Sequence, residues 1–237
     1  MGNRFFPGPH RMHQATIRQE IIDRVTARRG RFHVFDRFEA SETALVVIDM
    51  QPTFVAEGSP AETAMSREIV PGINALAAAM RAKGAAVIWV THANARAGDG
   101  TDWDAFFDNF VADAVRARTA ESLRPGSPDT QLWHLLETGP DDIHLIKNRY
   151  SALIPGSSPL ERTLRSRGIR NLLIAGVKTN VCCEATARDA MMMDFNVAMV
   201  ADCCAALSDD EHRAALETFI QQFGDVVTRA EAETLVC

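Results

Sequence analysis

The sequence has no long apolar run, few aromatic residues and few cysteines. Its 237 residues include one tyrosine, three tryptophans and five cysteines. No apolar stretch approaches the roughly 18 residues that a membrane-spanning helix needs, and the first residues lack the apolar core of a signal peptide. We therefore expect a cytoplasmic protein without a membrane anchor, whose thiols stay reduced.

Common signatures of cofactor and nucleic-acid binding are also missing. The cysteines form no Cys-x-x-Cys pair, which argues against a zinc ribbon or a thioredoxin-like site. Neither Gly-x-Gly-x-x-Gly nor Gly-x-x-x-x-Gly-Lys occurs, so we expect no nucleotide cofactor. A net charge of −6 argues against a broad cationic surface for nucleic acid.

The first part of the chain, residues 1–42, differs from the rest in its charge. It carries eight arginines against five acidic residues, within a chain that is acidic overall. Apolar residues recur there at near-helical spacing, which predicts an amphipathic helix over residues 14–29 that ends at Gly30. We expect an arm that lies on the main domain or on a partner subunit of a homo-oligomer, with a partly mobile leader as the alternative. The apolar stripe of this helix comprises Ile17, Ile21, Ile22 and Val25.

From residue 43 to residue 237 the chain alternates short apolar runs with helical patterns. This alternation predicts a three-layer α/β/α domain with a mainly parallel sheet of Rossmann-like order. The segment 93–142 is rich in glycine and proline and reads as irregular. The predicted strands are 44–48, 85–90, 143–146, 171–175, 197–201 and a short 226–227. The predicted helices are 70–83, 159–167, 181–194 and 209–223.

Three reactive side chains follow predicted strands of this sheet. Asp49 follows the first strand, Lys147 the third, and Cys182 begins the helix after the fourth. Ligands of open parallel sheets bind beyond the carboxyl ends of the strands, so the three side chains should meet there. The helix start and the Lys147 ammonium would lower the pKa of the Cys182 thiol, and Asp49 could shuttle its proton. Each residue alone would more often be structural.

Three sequence blocks resemble the isochorismatase-like cysteine hydrolases. They are residues 44–51, 147–151 and 176–190, and the resemblance extends over roughly residues 43–230. The third block is specific because it constrains a long run of residue types around the cysteine. Together with residues 164–170, this block is most similar to the ureidoacrylate amidohydrolases.

The resemblance implies a role for each residue of the predicted site. Cys182 would be the nucleophile, Asp49 the proton shuttle and Lys147 the activating cation. The family also places a non-proline cis peptide before the nucleophile, which here is Val177–Lys178. The backbone N–H groups of Lys178 and Cys182 would then form the oxyanion hole.

Two departures from related families narrow the expected chemistry. We expect the chain to lack the Asp-x-His motif of the metal-binding nicotinamidases, because His92 follows Val90 and Thr91, and we therefore expect neither a metal nor another cofactor. The isochorismatases proper lack the cysteine, which argues against hydrolysis of a vinyl ether. Lys178 is a departure of a different kind, since small residues are common at this position in the cysteine hydrolases that the chain resembles. Its side chain either points to solvent or adds a second cation to the site.

Further residues are candidates for contacts with a substrate or for core packing. Aromatic rings could flank a flat substrate, and polar side chains could bind an amide, although a surface-loop role is as reasonable for several of them. Cys183, Cys203 and Cys204 are expected to pack in the core. The candidate substrate contacts are Gln51, Phe54, His92, Asn94, Trp103 and Tyr150.

The sequence thus predicts a cysteine-dependent amidohydrolase. It would cleave a C–N bond of a small amide or ureido compound through a thioester and release ammonia or an amine. One alternative is a hydrolase of another small amide or imide on the same three residues. The other is a non-catalytic binding protein on the same scaffold.

Overall fold

The computed structural model describes residue 13, residues 16–94 and residues 102–237. In these residues six parallel strands form one sheet with the order β3-β2-β1-β4-β5-β6. This is a doubly wound order, and the predicted α/β fold is confirmed. The strands are β1 Thr43–Ile48, β2 Ala86–His92, β3 Ile143–Lys147, β4 Asn171–Val177, β5 Asn196–Ala205 and β6 Asp225–Val227.

Helices cover both faces of the sheet. One core cluster joins the sheet to α1, α6, α7 and α8, and the other joins it to α3 and α9. None of the helices in the described part of the chain has both the length and the apolar composition needed to cross a bilayer. The helices are α1 Gln19–Arg29, α2 Pro52–Val55, α3 Ser66–Lys83, α4 Asp104–Asn109, α5 Asp113–Ser122, α6 Leu160–Ser166, α7 Glu184–Met192, α8 Asp209–Gln222 and α9 Arg229–Leu235.

The central strand β1 explains why the sequence shows apolar runs without alternation. All six of its residues are buried, because a helical layer lies on each face of the sheet. Val46 is paired in register with Ile88 of β2 and Ile174 of β4. Strand β1 therefore lies in the middle of the core, and its carboxyl end opens onto the same edge as its neighbours.

The segment 93–142 contains more regular structure than predicted. It includes α4 and α5, and α5 buries only a few small polar or alanine side chains, so its apolar pattern is weak. The sequence prediction also missed α9, which is only seven residues long. Its start carries a capping box in which Thr228 and Glu231 bond each other, and this motif was the available signal.

Helix α1 packs against α8 of its own chain. It spans Gln19–Arg29 and ends at Gly30 as expected, while residues 14 and 15 of the predicted helix lie outside the described residues. Ile21 and Val25 are buried in the same core cluster as α8, while Ile22 is half-buried. Of the two placements expected for the arm, on the main domain or on a partner subunit, the structure shows the first for Ile21 and Val25. A homo-oligomer stays a prediction.

Charged contacts fasten the arm to the domain at two points. The Arg18 guanidinium donates to both carboxylate oxygens of Glu217 on α8, with an Nη2–Oε2 distance of 2.6 Å. Farther along, the buried Asp225 carboxylate accepts the backbone N–H groups of Val34 and Phe35. Glu217 and Asp225 are buried carboxylates, and burying a carboxylate is costly unless hydrogen-bond donors surround it. The arm supplies such donors to both.

Candidate active site

Three reactive groups meet at the carboxyl edge of the sheet. Asp49 follows β1 directly, Lys147 is the last residue of β3, and Cys182 lies in a π-helical turn, Thr179–Cys183, between β4 and α7. The Lys147 Nζ lies 2.8 Å from Asp49 Oδ2, and neither side chain is more than 1% exposed. The Cys182 thiol interacts with both and is 5% exposed. The structure thus brings the three predicted residues together.

The backbone at Asp49 turns sharply to present its side chain. Its φ is +57°, in the left-handed region that a residue with a side chain seldom adopts. The Asp49 N–H continues the sheet by donating to Val90 O at 2.8 Å, and its carbonyl accepts from Gln51 N at 2.9 Å. A strained conformation of this kind persists only where the surrounding structure holds the residue in place, and such residues are enriched at functional sites.

Gly176 allows β4 to approach β1 next to the site. Its φ is +112°, and a Cβ there would lie 2.1 Å from the Ile48 carbonyl oxygen. No other residue fits this position without moving a strand. One residue further along, the Val177–Lys178 peptide bond is cis. Because Gly176 lets β4 approach β1, the turn that carries Cys182 begins close to Asp49.

Burial and charge act in opposite directions on the Asp49–Lys147 pair. Burial raises the pKa of the Asp49 carboxyl, and the Lys147 ammonium only partly offsets this. Burial also tends to lower the pKa of Lys147, but its interactions with Asp49 and Cys182 together outweigh burial, and the pKa of Lys147 is raised. Lys147 is therefore a permanent cation here, and Asp49 is a stronger base than an exposed aspartate.

The free thiol of Cys182 is protonated, contrary to expectation. Burial raises its pKa to about 12, and the Asp49 carboxylate adds to this effect while Lys147 opposes it. The prediction of a lowered thiol pKa is wrong, because burial and the Asp49 carboxylate outweigh the effect of the Lys147 cation. Burial and the carboxylate dominate, so the thiol can lose its proton to Asp49 only as it attacks.

Gln51 joins two strand ends and has no free amide group for a substrate. Its Nε2 donates to the carbonyl oxygens of His92 and Asp129, at 2.9 Å and 3.0 Å. Its Oε1 accepts from the His92 N–H at 2.6 Å. The expectation that Gln51 contacts a substrate is corrected accordingly, since both N–H bonds and the oxygen are already engaged.

His92 lies beside the cation of the site. Its Nδ1 is 3.2 Å from Lys147 Nζ, and the ring is buried. Burial, and then the charges of Lys147 and Arg149, hold the pKa of His92 well below its usual value. The ring is therefore neutral, with Nδ1 as the acceptor of a Lys147 hydrogen and Nε2 carrying the proton.

Aromatic side chains form a wall at the mouth of the site. The Trp103 and Tyr150 rings meet edge to face with centroids 4.6 Å apart, and Phe106 stacks on Trp103 at 5.1 Å. The Arg149 guanidinium lies 5.1 Å from the Trp103 ring. Burial raises the pKa of Tyr150, and a thiolate at Cys182 would raise it further, so Tyr150 lies within electrostatic range of Cys182. Phe106 and Arg149 were not among the predicted contacts.

The other candidate contacts are less directly tied to the thiol. The half-buried Phe54 ring lies 6.5 Å from the His92 ring, between centroids. Asn94 is buried, and its backbone N–H donates to Leu123 O at 2.8 Å. Lys178 is half-buried. Roles for these residues in substrate binding stay predictions.

The other buried cysteines pack in the core. Cys183 Sγ contacts Ala175 O at 3.7 Å, and Cys204 Sγ contacts Ile174 O at 3.5 Å. Cys203 is also fully buried, and burial raises its pKa. These placements agree with the expected structural role.

Two Asp-x-His spacings do occur in the chain, at Asp142/His144 and at Asp210/His212 near the start of α8, and the sequence interpretation overlooked both. Asp142 and His144 flank the first residue of β3, at the end of the strand opposite Lys147. The Asp142 carboxylate accepts from Arg81 and from Trp89 Nε1, both at 2.7 Å, and is committed to holding β2 and α3. No group of three or more His, Cys, Asp or Glu side chains among the described residues is arranged to hold a metal.

A buried histidine behind the π-helical turn was also missed. Thr179 Oγ1 lies 2.8 Å from His212 Nδ1, and both side chains are buried. Burial lowers the pKa of His212 to about 3, so its ring is neutral. His212 is surrounded by charged residues in the sequence of α8, and only its place on the buried face of that helix could have marked it.

Comparison with known proteins agrees with the observed fold. A model of the isochorismatase domain matches residues 43–231. A cysteine hydrolase from Pseudomonas syringae is 29% identical, with a TM-score of 0.74 over 84% of this chain and 95% of that chain. An isochorismatase family protein from Desulfovibrio vulgaris is 28% identical, with a TM-score of 0.68 over 80% and 95% of the two chains.

A more distant structure has the same fold. An N-carbamoylsarcosine amidase from Thermoplasma acidophilum is 21% identical, with a TM-score of 0.64 over 79% of this chain and 96% of that chain. The family model covers most of the chain and includes Asp49, Lys147 and Cys182. The chain belongs to the isochorismatase-like hydrolase family.

Proposed function

We propose that this protein is a cysteine amidohydrolase that cleaves a C–N bond of a small amide or carbamoyl compound. The observation that carries the proposal is the buried cluster of Cys182, Asp49 and Lys147, in which the ion pair spans 2.8 Å. A nucleophile, a proton acceptor and a fixed cation are the groups that acyl transfer through a thioester requires.

The protonated thiol defines the order of the first step. As Cys182 Sγ attacks the carbonyl carbon of the substrate, its proton moves to Asp49. The carbonyl oxygen becomes an oxyanion, which the backbone N–H groups of Lys178 and Cys182 would hold. Lys147 stays charged throughout, so the site carries a compensating cation when negative charge passes from Asp49 to the substrate oxygen.

The remaining steps return the site to its starting state. The Asp49 carboxyl gives its proton to the leaving nitrogen, the C–N bond breaks, and ammonia or an amine departs. A water molecule then gives a proton to Asp49 and attacks the thioester carbon. When the C–S bond breaks, the thiolate regains the proton from Asp49 and the acid is released.

Two features favour a flat, polar substrate. The edge-to-face pair of Trp103 and Tyr150 offers a rigid apolar wall beside the thiol. The neutral His92 ring presents a proton on Nε2, and a ureido oxygen could accept it. The similarity of residues 164–170 and 176–190 to ureidoacrylate amidohydrolases supports the ureido class.

The proposal is tested by measuring ammonia release from ureidoacrylate-like acids, biuret, N-carbamoyl amino acids and nicotinamide. Wild-type protein should turn over a carbamoyl compound with the highest kcat/KM, and Cys182→Ala should be inactive on it. A preference of more than about tenfold for nicotinamide or an aliphatic amide would reject the ureido class. Turnover that persists in Cys182→Ala would reject the covalent mechanism, and no turnover at all would favour a binding protein.

A further inference from the structure

A chain of three buried side chains runs from the N-terminal arm to the turn that carries Cys182. His13 belongs to the arm, His212 to α8, and Thr179 to the π-helical turn. The His13 and His212 rings are stacked, with centroids 4.4 Å apart and an interplanar angle of 13°. His212 Nδ1 in turn lies 2.8 Å from Thr179 Oγ1.

His13 is held in one orientation by the end of β5 and the start of α8. Its Nε2 accepts the backbone N–H of Ala206 at 3.0 Å, so its proton is on Nδ1, which lies 2.5 Å from Asp209 Oδ1. The His13 side chain is 4% exposed. An arm residue that is this buried, and bonded through both ring nitrogens, is a structural part of the domain.

Thr179 lies in the turn that carries the proposed oxyanion donors of the candidate active site. It follows the cis peptide Val177–Lys178 and precedes Cys182 by three residues. The backbone N–H groups proposed as oxyanion donors lie on either side of it. A shift of about 1 Å in such donors can cost as much as a hundredfold in rate, so whatever fixes Thr179 affects the chemistry.

The structure assigns His13 and His212 a positioning role: they clamp Thr179 and thereby hold the oxyanion donors of Lys178 and Cys182 in place. The arm thus completes the active site of its own chain. This inference rests on the proposed function, because it concerns the geometry of the same acyl transfer. His13 stacks on the His212 ring, and His212 bonds the Thr179 hydroxyl.

The test compares two covalent reactions of Cys182 in the full-length protein. p-Nitrophenyl acetate acetylates the thiol: the new C–S bond replaces the C–O bond to p-nitrophenolate, and the carbonyl oxygen passes through the oxyanion hole. Iodoacetamide alkylates the thiol by displacing iodide at a saturated carbon, a reaction that needs no oxyanion hole. The ratio of the two rates therefore reports the hole separately from the thiol.

We expect Thr179→Val and His212→Leu to slow acetylation about tenfold to a hundredfold while alkylation changes less than about twofold. Thr179→Ser and His212→Asn should recover most of the acetylation rate, since each keeps a hydrogen-bonding group near the original position. His13→Leu should behave like His212→Leu. A double variant that combines His13→Leu with Thr179→Val should be acetylated no more slowly than Thr179→Val alone.

Arg24→Ala is the matched control, because it removes a hydrogen bond from the arm to Gln221 of α8 without touching the three clamp residues. It should leave both rates unchanged. Equal losses of acetylation and alkylation in the clamp variants, or acetylation unchanged in them, would overturn the positioning role. If wild-type protein is not acetylated at Cys182, the proposed function fails first, and the inference fails with it.

Discussion

Lys147 and Asp49 form a buried ion pair, with Nζ and Oδ2 2.8 Å apart, although their strands β3 and β1 are separated by β2. The long lysine side chain spans the end of the intervening strand, where His92 lies 3.2 Å from Nζ. The pair therefore fixes the position of a proton acceptor beside the Cys182 thiol.

Replacing the nucleophile should remove activity without unfolding the protein. Cys182→Ala should show no ammonia release, and Cys182→Ser should be nearly inactive, because Asp49 would have to deprotonate an alcohol far less acidic than a thiol. The exposed Cys237 supplies the control, and Cys237→Ala should keep full activity. Melting temperatures measured on all three variants would show that the folds are intact. Activity in Cys182→Ala would contradict the mechanism.

Lys147→Met should lower kcat by about two orders of magnitude, a typical loss for one electrostatic contributor. The pKa of Asp49 should rise further without its cation. Since Asp49 must be ionised to act as a base, the acidic limb of the rate profile should move to higher pH. The variant should also be less stable by about 3–5 kcal/mol, because a buried charge loses its partner.

The control for this substitution is Lys83→Met, whose ammonium donates to Val236 O far from the site. It should leave the pH profile in place. A Lys147→Met variant that loses stability but keeps the wild-type acidic limb would show that Lys147 does not act on Asp49.

Gly176→Ala should be far more damaging than Gly30→Ala. The new Cβ would lie 2.1 Å from Ile48 O, so β4 and β1 would have to separate. Gly30→Ala is the comparison: its φ is +81° with nothing within 4 Å of the new atom, so it should cost only about 1–2 kcal/mol of backbone strain. Urea unfolding of both variants measures the difference, and equal losses would contradict the close approach.

Gln51→Leu should lower stability and leave KM within about twofold of wild type. It removes three hydrogen bonds to the backbone of His92 and Asp129, which should cost about 2–4 kcal/mol in total. The exposed Gln131→Leu should change neither quantity. A raised KM with unchanged unfolding would restore Gln51 to the substrate contacts.

Glu217→Gln should destabilise the protein at neutral pH but not in acid. Hydrogen bonds from Arg18 lower the pKa of Glu217, so the folded state gains stability from its ionised form. The advantage of wild type should be complete above about pH 5 and vanish as the pH falls through the folded-state pKa, below the ordinary value of about 4.3. Unfolding curves across this pH range measure the stability difference between wild type and Glu217→Gln, with the exposed Glu68→Gln as control. A difference that does not change with pH would contradict the ion pair.

The residues at the strand ends show how much of the candidate site the sequence predicted. Asp49, Lys147 and Cys182 were predicted to meet because parallel strands bring their carboxyl ends to one edge, and this follows from the order of elements alone. Gln51 follows the same strand as Asp49 and was predicted to contact substrate. Its amide instead bonds His92 and Asp129, and such partners are known only once the loop at Asp129 is in place.

The sequence by itself determined the parallel α/β domain and the residue types at its site, because apolar runs and helical periods are local properties. Only the tertiary structure decided the protonation of Cys182, which depends on burial and on a carboxylate contributed by another strand. It also decided where the arm lies: the stripe of α1 would suit any apolar surface, but the buried Glu217 and Asp225 accept its donors within the same chain. Long-range contacts of this kind depend on three-dimensional proximity, which residue spacing does not encode.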